Sequence, residues 1–356
     1  MMVLDIYPCC LILLLSITLT LYLSIYFQNV LTYFPSLSSA ELPAKISNKS
    51  IVYQCVDHLG TPSTCKLCLG KLLPLRARHC LDCNTCIPGF DHHCVWFAQC
   101  ITLTHNLKLF VHTLFFAATT ILLGLGPLYP IVARQVNLVV NLTWDSGSNG
   151  ETLRRIWWDR WWSWAGGPIY RYMGGLCLGY LYYPKIERES QLDWNNTVDQ
   201  AGIKLLSKSS LLSAQAIFSK PSFSMLLIVT SGTMIELVII AMLVIVIKNN
   251  ILRGLSSIEI ERARRWNKSS STWDPRLKLW VPDCKEKGKG KVVLLQPGIP
   301  IFDLGPRKNF EQIMGDRVWE WFVPWKSNNQ LDGIEWPMSN DWMSYLRQLE
   351  PFVDNP

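Results

Sequence analysis

Residues 65–100 read Cys65-Lys-Leu-Cys68-Leu-Gly-Lys-Leu-Leu-Pro-Leu-Arg-Ala-Arg-His79-Cys80-Leu-Asp-Cys83-Asn-Thr-Cys86-Ile-Pro-Gly-Phe-Asp91-His92-His93-Cys94-Val-Trp-Phe-Ala-Gln-Cys100. Seven of the chain's twelve cysteines and three of its six histidines fall in these 36 residues. Thiols spaced Cys-x2-Cys and mixed with imidazoles are the donor set that tetrahedral zinc selects. Two closed four-ligand sites would use eight of these ten groups and leave one cysteine and one histidine over. A thiol beside an imidazole is the minimal equipment for thiolate chemistry, because the imidazole takes the proton that a free thiol keeps at neutral pH. The count points to an enzyme built on a zinc-folded segment. An odd number of cysteines, flanked by apolar stretches of membrane length, argues against a disulfide framework. A purely structural double-zinc module is the other reading of the same residues.

Around this cluster the chain reads as an integral membrane protein. It is 49% hydrophobic, has 16 tryptophans and carries a net charge of +7. Three stretches are long and apolar enough to span a bilayer. The first lies in an N-terminal membrane segment, 1–40, whose apolar core runs from Cys9 to Phe27. The others are 109–133, bounded by Lys108 and Arg134, and 222–247, bounded by Lys220 and Lys248 and containing Glu236. A carboxylate at mid-membrane is a functional hypothesis or a protonated group bonded to a neighbouring helix. The basic residues gather beside these stretches, which reads as topology rather than a nucleic-acid footprint, and no nucleic-acid partner is expected. Lys285 to Lys291 is short and broken by glycines, a solvated loop.

Orientation follows from the positive-inside rule. Lys248, Arg253, Arg262, Arg264, Arg265 and Lys268 crowd the exit of the third stretch, so the tail, 248–356, is expected in the cytosol. Two spans separate it from the cysteine-rich segment, 41–108, which is therefore expected there too, in the compartment that keeps thiols reduced. The loop 134–221 is then lumenal. It holds Arg154-Arg-Ile-Trp-Trp-Asp-Arg-Trp-Trp-Ser-Trp164, which reads as a segment lying at the headgroups, followed by an apolar stretch, Ala165 to Tyr183, interrupted by Arg171.

The tetrad Asp91-His92-His93-Cys94, followed by Trp96, resembles that of the DHHC family of protein S-acyltransferases. Pro74-Leu-Arg76-Ala-Arg-His79-Cys80 is similar to that family's Pro-x-Arg-x-x-His-Cys signature, and Ser256-Ser-Ile-Glu259 to its Thr-Thr-x-Glu motif. Phe302-Asp-Leu-Gly305 with Asn309 and Gly315 resembles a C-terminal motif in which an aromatic and an asparagine dock the tail on the membrane helices. The chain departs from the pattern at Gln99-Cys-Ile-Thr102, at Asn106, at the two serines 256 and 257, and in showing one span rather than two before the cysteines.

The resemblance implies a mainly α integral membrane protein with a small cytosolic double-zinc domain. It implies one zinc on Cys65, Cys68, His79 and Cys86, and another on Cys80, Cys83, His93 and Cys100. It implies Cys94 as the nucleophile that takes a long-chain acyl group from palmitoyl-CoA, His92 as its base and Asp91 as the group that orients His92. Ser256 is expected to support Asp91 through a hydrogen bond, Glu259 to orient tail residues, and Asn309 to dock the tail. Arg76 and Arg78 are expected to meet the CoA phosphates or lipid headgroups. The implied partners are acyl-CoA, the lipid bilayer and membrane-associated proteins with cytosolic cysteines, on an endomembrane such as the ER or Golgi. A non-catalytic zinc-stabilised membrane adaptor of the same fold is the alternative.

The topology has a direct check. Asn141-Leu-Thr143 and Asn195-Asn-Thr197 are glycosylation sequons in the loop read as lumenal, and similar triplets start at Asn48 and Asn267; glycosylation mapping is expected to modify Asn141 or Asn195 and to leave Asn48 and Asn267 bare, and a glycan at Asn267 reverses the orientation.

Overall fold

A computed structural model describes residues 2–31, 51–201, 220–267, 276–283, 286, 288–324, 331 and 333–353. Asn48, Lys268, Cys284 and Lys285 lie outside the described residues, as do the side chains of Cys9 and Asn195. Among the described residues three helices are long and apolar enough to cross a membrane, with candidate spans at Cys10–Gln28, Leu107–Leu125 and Phe223–Leu252. The chain forms two compact units, residues 1–15 with 119–238 and residues 16–118 with 239–356.

The first helix, α1, runs Met2–Leu31. The second, α2, covers Leu107–Leu125 and is followed by α3 at Leu128–Trp144. The apolar run read as one span over 109–133 is thus broken at Gly126-Pro127, where proline supplies no backbone N–H to the helical ladder. Downstream come the short α4, Ser148–Leu153, and the long α5, Gly167–Ala201, which carries Pro184. Next is α6, Phe223–Val246, which continues as a π-helical turn over Ile247–Leu252. Three tail helices follow: α7 at Ser257–Asn267, α8 at Pro306–Met314 and α9 at Asn340–Gln348.

The unit formed by 1–15 and 119–238 packs Val132 and Val139 of α3, Leu176 and Tyr180 of α5, and Leu226 and Val229 of α6 into one core. Glu236 is buried on α6. In the other unit, the cysteine-rich segment is three antiparallel hairpins. They are β2 (Thr64–Cys65) with β3 (Lys71–Leu72), β4 (Arg78–Cys80) with β5 (Thr85–Ile87), and β6 (Phe90–Cys94) with β7 (Gln99–Thr102).

A three-stranded sheet in this unit joins the two sides of the cysteine-rich segment. Its order is β1 (Tyr53–Gln54), β8 (Leu277–Pro282) and β9 (Gly290–Leu295), with Tyr53 opposite Trp280 and Leu279 opposite Val293. No strand was expected in the tail. Its signal is the Val- and Leu-rich pair of runs separated by Pro282 and the glycines at 288 and 290. Leu279 and Val293 are fully buried and lie in one core with Leu107, Phe110, Ile251 and Leu346. The tail therefore supplies much of the core under the zinc segment.

Candidate metal centres and reactive cysteine

Ligand placement follows from strand pairing. In β4–β5, His79 lies opposite Cys86, and in β6–β7, His93 lies opposite Cys100. Directly opposed residues have Cβ atoms about 5 Å apart, close enough for two side chains to meet one ion. The turns bring the remaining thiols. Leu69, beside the first cysteine pair, and Asn84, beside the second, adopt left-handed backbone with φ of 53° and 49°. The result is two four-membered groups, Cys65, Cys68, His79 and Cys86, and Cys80, Cys83, His93 and Cys100, each with ligand atoms within 4.8 Å of one another.

The spacing suits zinc. Tetrahedral Zn–S of about 2.3 Å and Zn–N of about 2.0 Å put ligand atoms roughly 3.5–3.8 Å apart. Cys68 Sγ lies 3.5 Å from Cys86 Sγ and 3.1 Å from His79 Nδ1. In the second group Cys83 Sγ is 3.5 Å from Cys100 Sγ, and His93 Nδ1 is 3.4–3.7 Å from Cys80, Cys83 and Cys100. Three thiols and one imidazole per group are a complete donor set for a structural zinc, and both groups can hold one. Both match the ligand sets expected from the sequence.

Strand β6 separates metal binding from the remaining pair. Side chains alternate across a strand, so His93 faces the metal group while His92 and Cys94 share the opposite face. A register shift between Phe90 and His92 lets Asp91 turn inward beside them. Asp91, 4% exposed, accepts a hydrogen bond of 2.9 Å from His92 Nδ1. His92 in turn bonds Cys94, and its ring meets Phe110 edge-on at 5.7 Å. Burial opposes a charged imidazole, but the bonds to Asp91 and Cys94 outweigh it and lift His92 to about 9. Burial likewise opposes the Cys94 thiolate, and the His92 bond overrides it, lowering the thiol below its ordinary value. The pair therefore favours thiolate and imidazolium together.

The carboxylate is anchored from the tail. Asn250 Nδ2 donates to Asp91 Oδ1 at 2.9 Å, Ser257 N donates to Oδ1 at 2.5 Å, and Ser257 Oγ donates to Oδ2 at 2.8 Å. Ser257, not Ser256, thus holds Asp91. The reason is helix capping: Ser256 N donates to Glu259 Oε2 while Glu259 N donates to Ser256 Oγ, a reciprocal capping box at the start of α7. That uses the Ser256 hydroxyl and leaves Ser257, at the first helical position, free to meet Asp91 at the positive end of the helix. The Ser-x-x-Glu spacing carried this signal in the sequence. Asn250, next to the membrane-span exit, went unnoticed because a polar pair at a helix end is ordinary.

Arg76 lies away from solvent. Its Nε and Nη2 grip Glu259 at 2.9 and 2.7 Å, Nη2 also reaches Gly254 O, and its side chain is 5% exposed. The guanidinium sits 4.2 Å from the Phe302 ring and 4.6 Å from that of Trp336. It is a structural bolt between the zinc segment and the tail, which corrects its expected role as a phosphate contact. Glu259 orients the zinc segment's Arg76 as well as its own helix start. Arg78 instead lines a cleft with Arg262 and Arg265 beside Asp91 and Ser257. Asn309 ties α8 to the end of the α6 span: its Nδ2 donates to Leu252 O at 2.9 Å and to Asp303 Oδ1, and its Oδ1 accepts from Leu304 N. A second clamp was not foreseen. Buried Lys108 on α2 donates from Nζ to Met314 O and Glu320 O, and His112 Nε2 lies 2.8 Å from Trp321 O.

Residues 58–152 match the family model described as DHHC palmitoyltransferase. Over those residues, which hold both metal groups and Cys94, the chain is similar to that family. Over 63 residues the chain is 41% identical to palmitoyltransferase spe-10 of Caenorhabditis elegans, 18% of this chain and 17% of that one. Over 296 residues it is 20% identical to palmitoyltransferase PFA3 of Yarrowia lipolytica, 83% of this chain and 54% of that one. It is 37% identical over 76 residues to palmitoyltransferase PFA3 of Saccharomyces cerevisiae, 21% of each chain. The chain thus spans about half the length of one of these relatives and less of the others.

Removing a metal ligand and removing the reactive thiol should have different consequences. Cys83→Ala leaves three donors and an open site, so zinc content, thermal stability and expression should fall together. Cys94→Ser should keep about two zinc atoms per chain by elemental analysis. A fall to about one in Cys94→Ser would make Cys94 a ligand.

Proposed function

We propose that this chain is a protein S-palmitoyltransferase that carries a long-chain acyl group on Cys94. The observation that carries the reading is the Asp91–His92–Cys94 relay, in which Asp91 and Cys94 are buried and His92 is half-buried, on the side of β6 away from the metal group. Cys94 as thiolate attacks the thioester carbonyl of acyl-CoA. A carbon–sulfur bond forms to Cys94, the bond to the CoA sulfur breaks, and His92 Nε2 returns its proton to the departing thiolate. In the second half-reaction a substrate cysteine gives its proton to His92 and attacks the acyl-Cys94 thioester, and Cys94 leaves as thiolate. Asp91 keeps a proton on His92 Nδ1 throughout, so that Nε2 serves as acceptor and then donor. Thioester exchanged for thioester is nearly isoenergetic, and the protein mainly supplies position and an ionised thiol.

Zinc, when bound by the two Cys3His groups, contributes folding free energy to a segment too short to bury its own core. The CoA phosphates would meet Arg78, Arg262 and Arg265 at the cleft beside Asp91, where guanidinium groups suit a polyanion. Cys94 is built into an apolar cluster with Phe97, Phe110 and Leu114, and the acyl chain would lie against such apolar side chains among the membrane helices. The protein substrates are membrane-associated proteins with cytosolic cysteines, and the site and tail face the cytosol of an endomembrane. These partners explain why a thiol enzyme is built on membrane helices.

Incubation with labelled palmitoyl-CoA should give one hydroxylamine-labile adduct, on the peptide containing Cys94. Cys94→Ala should abolish it, and His92→Ala should slow its formation by about 10² to 10⁴, the usual loss for a general base. Acylation of Cys94→Ala on another residue at the wild-type rate would replace the enzyme by the adaptor reading.

A further inference from the structure

The segment that follows α8 takes its place from the first turn of a membrane span. Gly315, at φ 108°, lets the chain leave α8, and Val318–Phe322 then winds as a single 3-10 turn. Trp321 closes it on one side: its Nε1 donates to Gly315 O at 2.9 Å, and its ring meets Phe310 of α8 edge-on at 4.9 Å. On the other side α2 supplies the donors. Lys108 Nζ donates to Met314 O at 2.9 Å and to Glu320 O at 2.6 Å, and His112 Nε2 lies 2.8 Å from Trp321 O. Lys108 is 3% exposed, although a lysine at the end of a span ordinarily reaches for water. Four carbonyls, those of Met314, Gly315, Glu320 and Trp321, thus have side-chain donors within hydrogen-bond reach. A turn bathed in water needs no such provision, whereas irregular backbone at membrane depth persists only where the protein itself satisfies its polar groups.

The level of the turn follows from α2. As a straight helix the 19 residues Leu107–Leu125 are about 28 Å long, close to the ~30 Å thickness of the hydrocarbon layer, so Leu107 marks one boundary of that layer. The His112 ring leans back toward this end, with Nδ1 2.8 Å from Lys108 O, and Trp321 O is its other partner. The 3-10 turn is therefore level with the first turn of the span, at the boundary and not beyond it. In a 3-10 turn residues three apart lie one above the other, so Trp319 and Phe322 share a face. That face is turned outward: Phe322 is 75% exposed and Trp319 49%, with Val318 exposed beside them. Contiguous apolar surface of this kind marks an interaction site, and here the span fixes what lies around it.

We infer that Val318–Phe322 is a lipid-facing wedge, clamped to α2 by Lys108 and His112, that sets Trp319 and Phe322 into the phospholipid leaflet at the Lys108 end of the span. Phe322 meets acyl chains there. The Trp319 indole suits the boundary because its body is apolar and its N–H donates a hydrogen bond. The reading rests on α2 crossing the bilayer and not on the acyl-transfer chemistry.

A photoreactive benzoylphenylalanine in place of Phe322 tests it in the full-length protein. The vesicles are phosphatidylcholine with a trace of phosphatidylcholine carrying an alkyne on one acyl chain, and irradiated samples are scored for lipid adduct and for cross-linked peptide. The lipid adduct should exceed several-fold that formed by the same probe in place of exposed Lys289, and approach that formed in place of Phe115, an exposed residue within α2. Lys108→Met should lower the yield at position 322 and leave that at 115 unchanged. A yield at 322 equal to that at 289, with position 115 labelled, overturns the wedge, as does cross-linking of 322 to a peptide of this chain or of a second copy in place of lipid. Absence of lipid adduct at 115 overturns the span on which the wedge rests. An unchanged yield at 322 in Lys108→Met overturns the clamp. If that variant fails to fold, the comparison of positions 322, 115 and 289 decides.

Discussion

A carboxylate taken out of water must have its oxygens satisfied or it costs several kcal/mol. Asp91 meets this demand with donors from two distant parts of the chain: its neighbour His92, and Asn250 and Ser257 some 160 residues on. The consequence runs both ways. The tail gives Asp91 its fixed place, and Asp91 fixes where α6 ends and α7 begins. Arg76 reinforces the same junction by bonding Glu259 from between two aromatic rings. Breaking either tie would leave a buried charge without its partner, the costly direction of such a change.

The two-residue period of a strand divides the tetrad between its two faces. His93 points to a metal group, while His92 and Cys94 point the other way. A metal held by His93 and Cys100 fixes the backbone that carries the thiol and imidazole, without touching either. Cys94 gains position from that fold, and a separate hydrogen-bonded relay through His92 to Asp91 lowers its thiol below the ordinary value.

What could be read from the sequence follows the range of the forces involved. Two four-ligand groups with one cysteine and one histidine to spare were legible from Cys-x2-Cys spacing and counting, whereas which residues fill each group, and that Cys94 and His92 are the spare pair, came only from the family resemblance. The three apolar helices were legible from composition, although Pro127 ends the second earlier than hydropathy alone suggests. Residues acting across the chain were not. Arg76 looked like a free cation because nothing local announces Phe302, Trp336 and Glu259 as its neighbours. Ser256 was favoured over Ser257, although the Ser-x-x-Glu capping spacing distinguishes them. The tail strands β8 and β9 were hidden because short runs of Leu and Val read equally as packing for a helix, and β1 is only two residues long. Arg171 looked like a break in an apolar run, since the Trp158 and Trp164 rings it lies beside become its neighbours only once the residues around them fold into turns.

The central claim is that Ser257 acts on the reaction through Asp91. The most direct test measures the single-turnover rate of Cys94 acylation in a double-mutant cycle of Ser257→Ala and Asp91→Asn, with zinc content checked in each variant. The account predicts that Ser257→Ala slows acylation in the wild-type background and adds little once Asp91 is already asparagine, a coupling of about 0.5–3 kcal/mol. Strictly additive losses would contradict it, because Ser257 would then act by a route that does not pass through the carboxylate.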